Sequence, residues 1–172
     1  SQDKIKWVQV DLGETRSFDK VILHPALPTK YPDGSRTVSN PGFGFPLRFR
    51  IDVSNDPDFK KYKTILDETV SDFPNPGRKE VTVTSPGQKS RYVRFTATKL
   101  WDSGRRDSPY YFALGELQVI SEDKVISLNK PALAFDSVDE WGWKLCNLTD
   151  GLNLIGEMER DHEALLLRKE KE

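Results

Sequence analysis

Apolar and polar side chains alternate with a period of two through most of the chain, the pattern of strands with one buried face. The run Trp7-Val8-Gln9-Val10-Asp11-Leu12 alternates strictly, Gly13 and Glu14 read as a turn, and Val21-Ile22-Leu23-His24 reads as the second strand of an opening pair. In Leu47 to Ser54, Phe49, Ile51 and Val53 fall on one face, while Arg48, Arg50 and Asp52 fall on the other. The same reading gives strands over Tyr62 to Leu66, Glu80 to Thr84, Arg91 to Thr98 and Ala113 to Ile120. Turn-rich stretches separate them: "SNDPDF" at 54–59, "DFPNPG" at 72–77 and "SPGQKS" at 85–90. Short strands at this spacing predict an antiparallel sandwich or barrel.

Two connections exceed what a hairpin needs. Residues 25–46, "PALPTKYPDGSRTVSNPGFGFP", are rich in Pro and Gly, and residues 99–112, "KLWDSGRRDSPYYF", concentrate Trp101, Arg105, Arg106, Tyr110 and Tyr111. Long structured loops on a compact sandwich are where function is commonly carried. The tail from Met158 to Glu172 lacks Gly and Pro, is strongly charged and reads as a helix, a linker or the entrance to a further domain.

Composition narrows the classes. With 172 residues, 26 Lys and Arg and 27 Asp and Glu, one well-buried domain plus an appendage is the expected size, and no basic field exists for a nucleic-acid backbone or an anionic membrane. No apolar run approaches the roughly 20 residues of a spanning helix. The opening residues lack the basic and apolar regions of a signal peptide, so the chain reads as a segment of a longer protein. Cys146 is the single cysteine, which rules out an internal disulfide or a thiolate zinc site. The thiol has no histidine near it in sequence and reads as a small half-buried hydrophobe, not a nucleophile. His24 and His162 lie far apart, and the chain has no Gly-x-Ser-x-Gly elbow, phosphate loop or His-Glu-x-x-His helix. Carboxylates are abundant, but abundance alone does not make the pair a glycosidase needs. No catalysis is expected within these residues. Asn147-Leu148-Thr149 has the form of a glycosylation acceptor, silent in a bacterial protein.

Four spaced motifs carry a resemblance. "WVQVDLG", "FRIDVSNDPDF", "RYVRFTATKL" and "ALGELQV" occur in this order over residues 7–119, and together they resemble the discoidin, or coagulation factor V/VIII C-type, domain. The resemblance implies an all-β, jelly-roll β-sandwich of the galactose-binding-like type. It also implies a non-catalytic module of the kind attached to bacterial glycoside hydrolases. "KVILHPA", "PGFGFPLRFRIDVSNDPDF" and the "TATKLW…YYFALGELQV" ending are similar to the version in large bacterial glycosidases, notably α-L-rhamnosidases of gut Bacteroides. On that likeness the parent protein is a secreted or periplasmic enzyme, and the partners are a plant polysaccharide or glycan and the catalytic domain of the same chain. A spacer that packs on that domain without a ligand, and a protein or cell-surface adhesion module, are the alternative readings.

In this family a first strand and a loop of the form Asn-x-Ala-x-x-Lys-Pro … Val-Asp-Gly come before the Trp strand. Here the similar stretch, "SLNKPALAFDSVDEWGWKLCNLTDG", stands at 127–151. A circularly permuted domain over 1–155, with 124–155 supplying the first strand and the Asp-Gly loop and 156–172 leading onward as a short helix, competes with the start of a truncated second repeat. Permutation is preferred, since termini that lie close together permit it and a truncated repeat would leave Phe135, Trp141 and Trp143 without a core.

Two sites follow from the resemblance. The family's Asp-Gly loop often holds a structural calcium ion, which places Asp150, Asn147, Asn153 and Glu116 as its ligands here, with hard oxygen donors to suit it; the plainer reading is a turn and an ion-paired Glu. Sugar recognition needs aromatic faces surrounded by planar or charged hydrogen-bonding groups. Trp101, Tyr110 and Tyr111 supply the faces, and Asp102, Arg105 and Arg106 the hydrogen bonds. Tyr31, Arg36 and Asn40 could join them from the other long loop, and His24 from the end of its strand. Ala26 follows Pro25 where sugar-binding relatives commonly place an Arg. In the plainer reading Trp101 caps the sandwich and the Tyr pair covers a strand edge.

Overall fold

The structure, a computed structural model, describes residues 1–27, 40–104, 106, 110–139 and 143–152. Its strands are β1 (Lys6–His24), β2 (Arg48–Ser54), β3 (Lys63–Glu68), β4 (Val81–Lys99), β5 (Trp101–Asp102), β6 (Tyr110–Tyr111), β7 (Glu116–Ser121), β8 (Lys124–Val125) and β9 (Ala132–Ala134). A 3-10 helix spans Leu145–Thr149. The helix expected over 156–172 lies outside the described residues.

The main sheet runs β3-β2-β4-β1-β7-β8, with β9 also paired to β1, and every ladder is antiparallel. The two longest strands, β1 and β4, make it a sandwich. The first part of β1 pairs with β9 and the later part of β4, and β2 joins that part of β4; the later part of β1 pairs with β7 and the start of β4. Strands that change layer must bend at bulges. The ladder slips between Asp11 and Arg16 and again between Phe18 and Lys20.

These bends correct the sequence reading. Gly13 sits at φ +89° inside β1, and Gly87 at φ +66° inside β4. What read as turns between short strands are bulges within single long ones. The glycines have the same backbone requirement in either case, so composition does not separate the two. Side chains pin the bends. Asp11 Oδ1 accepts the Gly13 N–H at 2.8 Å, and the Arg91 guanidinium donates to both Asp11 oxygens, at 2.8 and 2.9 Å. The Arg91 N–H, which faces the bulge, finds Asn55 Oδ1 at 2.9 Å, and Thr15 Oγ donates to the same oxygen at 2.9 Å.

The inner faces of both layers meet in one core. Val10, Leu12, Phe49, Ile51, Val93 and Phe95 come from one layer, and Val21, Leu23, Val83, Leu117 and Val119 from the other. At the end where β2 begins the core is aromatic. Phe45 lies 5.4 Å from Phe49 and 5.9 Å from Phe95, while Phe49 is 5.1 Å from Phe73 and Phe95 is 5.3 Å from Phe112. Burying each such ring is worth about 1.5–3 kcal/mol.

The outward face of the first layer is also closed. Gln9 and Asp52 are each 1 % exposed although they alternate with core residues: Gln9 Nε2 donates to Pro57 C=O at 3.4 Å, and Asp52 is enclosed by Arg50 and Thr64. The Arg94 guanidinium lies 4.3 Å from the Trp7 ring centroid and 3.9 Å from that of Phe59, and it donates to Gln9 Oε1. Asp52 accepts from Arg50 Nε at 2.8 Å and from Thr64 Oγ at 2.7 Å.

The 124–152 segment lies along the same sandwich. Ala132–Ala134 pairs with Val8–Val10, Pro131 C=O accepts the Asp11 N–H at 2.9 Å, and Leu148 enters the core. Phe135 nonetheless stays 55 % exposed, and Trp141 lies outside the described residues. Trp143 meets Phe43 edge-on at 5.5 Å.

Candidate functional site

Trp101 and its neighbours are built on backbone bonds to two distant segments, at Gln2 and at 44–47. Leu100 is buried, its N–H donates to Gln2 C=O at 2.8 Å, and Gln2 Nε2 donates back to Leu100 C=O at 3.2 Å. Leu47 N–H reaches Lys99 C=O at 2.9 Å, and Ala113 N–H reaches Gly44 C=O at 2.9 Å. At Gly44, φ +69°, an added Cβ would lie 2.6 Å from Ala113 Cβ. Glycine is therefore required there both by conformation and by space. The "PGFGFP" end of the long first connection is thus not a free loop. Gly42 through Pro46 are buried, and Phe45 belongs to the core.

On this base β5 and β6 form a two-residue ladder, with Trp101 opposite Tyr111 and Asp102 opposite Tyr110. The Trp101 and Tyr111 rings lie 6.3 Å apart at 38°. Trp101, Tyr110 and Tyr111 are half-buried, so each keeps some surface in solvent. Asp102 is exposed, with one oxygen, Oδ1, accepting the Gly104 N–H at 2.8 Å. Arg106 and Asn40 are exposed; Arg105, Tyr31 and Arg36 lie outside the described residues. The hairpin thus sets Trp101 beside Tyr111 on one face, and Asp102 opposite Tyr110 on the next rung.

His24 ends β1 at the same end of the sandwich, where its C=O accepts the Gly115 N–H at 2.8 Å. It pairs with Glu116 across the ladder, its side chain is 16 % exposed, and Nδ1 lies 4.0 Å from Glu80 Oε2. Among the described residues no hydrogen bond or ring contact joins it to the aromatic hairpin. Its Nε2 is buried without a partner.

The proposed ion ligands meet in part. Glu116 is 1 % exposed, and its Oε1 accepts the Gly151 N–H at 3.1 Å and Gln118 Nε2 at 3.3 Å, while Oε2 is buried without a hydrogen bond. Burial, together with the nearby Asp150 charge, pushes the Glu116 carboxyl above its usual range. Asp150 Oδ1 caps Leu152 N–H at 2.9 Å, Asn147 accepts from the Cys146 thiol at 3.6 Å, and Asn153 lies outside the described residues. Among the described residues no group of three or more His, Cys, Asp or Glu side chains gathers. Cys146 itself is exposed and not half-buried as the sequence reading had it, because the short helix turns that face outward.

The sequence reading missed the stack of Trp7, Arg94 and Phe59. Its signal was present in Trp7 and Arg94 at polar-face positions of alternating strands, but their pairing depends on strand register.

These features define an antiparallel β-sandwich that carries an aromatic hairpin at one end. The F5/8 type C domain model matches residues 1–110, and the chain belongs to that family, the discoidin-like domains. No curated protein matches the chain. Among solved structures it is similar to chitosan-binding module 1 from the chitosanase/glucanase of Paenibacillus sp. IK-5, at 20% identity over 70% of this chain and 71% of that one, TM-score 0.47. Module 2 of the same enzyme, in complex with chitotriose, is 21% identical over 67% of this chain and 69% of that one, TM-score 0.43. The CpGH89CBM32-5 module of Clostridium perfringens, in complex with GalNAc-beta-1,3-galactose, is 14% identical over 70% and 78% of the two chains, TM-score 0.45.

Proposed function

We propose that the chain is a non-catalytic carbohydrate-binding module of a larger secreted or periplasmic bacterial glycoside hydrolase, of α-L-rhamnosidase type, which it tethers to polysaccharide. The observation that carries this reading is the Trp101–Tyr111 ring pair, half-exposed on a hairpin whose next rung holds the exposed Asp102. Aromatic faces take up the apolar side of a sugar ring, while a carboxylate fixes its hydroxyls. Tethering raises the local substrate concentration at a linked active site even when each contact is weak. The test is a titration of tryptophan fluorescence against monosaccharides and plant polysaccharides, rhamnogalacturonan included. Saturable quenching that disappears in Trp101→Ala is expected. A flat response from a folded protein would sink the reading.

A packing role is favoured by a different observation. Ile5, Leu133, Phe135 and Val138 are 55–65 % exposed, at or beside the edge where β9 pairs with β1. Exposed apolar residues gathered in this way are typical of contact surfaces, here one for the neighbouring domain of the same chain. Loss of solubility in the isolated domain, relieved by Phe135→Ser, is the expected sign.

We also propose that 124–155 supplies the first strand of a permuted sandwich, supported by the β9–β1 ladder and by Leu148 in the core. Calcium is proposed beside Glu116 and Asp150. Its support is the buried Glu116 Oε2 without a donor, a position that a hard cation would satisfy. Calcium at about a hundredfold over its dissociation constant should stabilise the fold by about 2.7 kcal/mol, read as a rise in melting temperature. Equal melting temperatures in calcium and in chelator would remove the ion from the account.

A further inference from the structure

The end of the sandwich opposite Trp101 carries a concave surface of about 560 Å³, lined among others by Ser54, Asn55, Lys61, Tyr62, Lys63 and Lys89. β2 runs from Arg48, paired with Lys99 beside the aromatic hairpin, to Ser54, paired with Tyr92, so the length of a strand separates the two. Three lysines face the hollow, and the one carboxylate in its lining, Asp56, is already engaged by the N–H groups of Asp58 and Lys60 at 3.0 Å each. Lys63 Nζ donates to Gln88 Oε1 at 2.9 Å and so spans the two walls. No carboxylate lies within ion-pair distance of Lys61 or Lys89 among the described residues. In a chain of net charge −1 this is a local excess of positive charge.

Its floor is rigid. Asp56 N–H donates to Ser54 Oγ at 2.9 Å, Ser54 Oγ donates in turn to Lys61 C=O, and Asn55 Oδ1 holds both Arg91 N–H and Thr15 Oγ. Tyr62 is 50 % exposed, and its ring is held 5.4 Å from the Arg50 guanidinium. A ring already held in place loses little freedom when it binds, and the exposed ammonium groups supply the charge. The N–H groups of Asp56, Asp58 and Lys60 are already satisfied, so this turn offers a peptide no main-chain pairing. A ligand must instead bring a flat apolar face for Tyr62 and anionic groups for the lysines.

We propose that this hollow is a second saccharide site, specific for acidic sugars bearing carboxylate or sulfate. Tyr62 is the platform, and Lys61 and Lys89 are the counter-charges. The proposal rests on the reading of the chain as a carbohydrate-binding module, and it gives that module two sites facing opposite ways. Two sites of this kind would let one module bridge neighbouring polysaccharide chains.

The test is calorimetric titration of the whole 172-residue chain with oligogalacturonate, with a sulfated glycan, with neutral galactan and with polyglutamate. Oligogalacturonate or the sulfated glycan should bind, and the one that binds identifies the anionic group. Lys61→Glu with Lys89→Glu should weaken that binding at least about tenfold, as should Tyr62→Ala, whereas Trp101→Ala should leave it unchanged. Raising salt from about 50 to 500 mM should weaken it by a similar factor, since exposed charges are screened over a few ångströms at the higher value. All three residues are exposed, and circular dichroism of the variants checks that the fold is kept. The proposal is overturned if neither acidic saccharide binds, if Trp101→Ala abolishes the binding and the lysine variant does not, or if polyglutamate binds as well as oligogalacturonate. Neutral-sugar quenching at Trp101 is scored separately, so either site fails on its own evidence.

Discussion

The two ends of this sandwich are built by different means. At the Trp101 end, segments far apart in sequence are held by main-chain bonds: Gln2 with Leu100, Gly44 with Ala113, Leu47 with Lys99. Beneath them lies the cluster of Phe45, Phe49, Phe73, Phe95 and Phe112. At the opposite end, local side-chain oxygens of Ser54, Asn55 and Asp56 satisfy the turn, and Asp11 with Arg91 pins the bend in β1. The first construction depends on packing and leaves half-exposed aromatics. The second depends on polar caps and leaves charge. The difference teaches that one domain can present two surfaces of different chemistry without sharing a residue between them.

The strongest way to break this comparison is Phe95→Ala. It removes a ring at the centre of the aromatic core and should cost about 3–5 kcal/mol, seen as a lower urea midpoint. The prediction fails if the loss resembles that of a surface change. Gly44→Ala comes next, at about 2–3 kcal/mol, because the new Cβ meets Ala113 and the backbone lies in the left-handed region. Its damage should fall on Trp101 fluorescence while the lysine hollow keeps its affinity; equal loss at both ends would show that they are not independent. Asn55→Ala is the mirror experiment. It leaves Arg91 N–H and Thr15 Oγ without their partner and should cost about 1 kcal/mol, with the effect confined to the lysine end.

The smallest effects are those of pH, and they have opposite signs. The Asp11 carboxyl is held below its ordinary range, mainly by its hydrogen bond to Arg91. Its contribution is present above the unfolded-state value and is lost as pH falls through the lowered folded one. Glu116 is raised by burial and by Asp150. In chelator its contribution is therefore full below the unfolded-state value and declines as pH rises through the raised folded one. Asp11→Asn should flatten the acid limb of the stability profile, and Glu116→Gln the decline on the other side. Profiles that coincide with wild type would show that neither group is linked to folding.

Much of the fold was legible. Alternation places Val10, Phe49, Ile51, Val53, Val93 and Phe95 inside, and all are buried. The hairpin aromatics were also readable, since Trp101, Tyr110 and Tyr111 crowd one connection. The lysine hollow was not, because Lys61, Lys63 and Lys89 come from two strands whose adjacency no local pattern gives. Nor was the burial of Gln9 and Asp52, which stand on the polar face until Pro57 meets one and Arg50 and Thr64 enclose the other.

The sequence by itself determined the class of fold, the inward face of each strand and the places where the backbone must depart from it. A period of two and a glycine are local facts, written in one or two residues. Tertiary structure alone decided whether Gly13 and Gly87 reverse the chain or bend it, since a glycine permits either and the ladder between β1 and β4 chooses. It also decided that Glu116 lies against Gly151 and Arg94 between two rings. Such contacts depend on register and closure, which are set by the whole core at once.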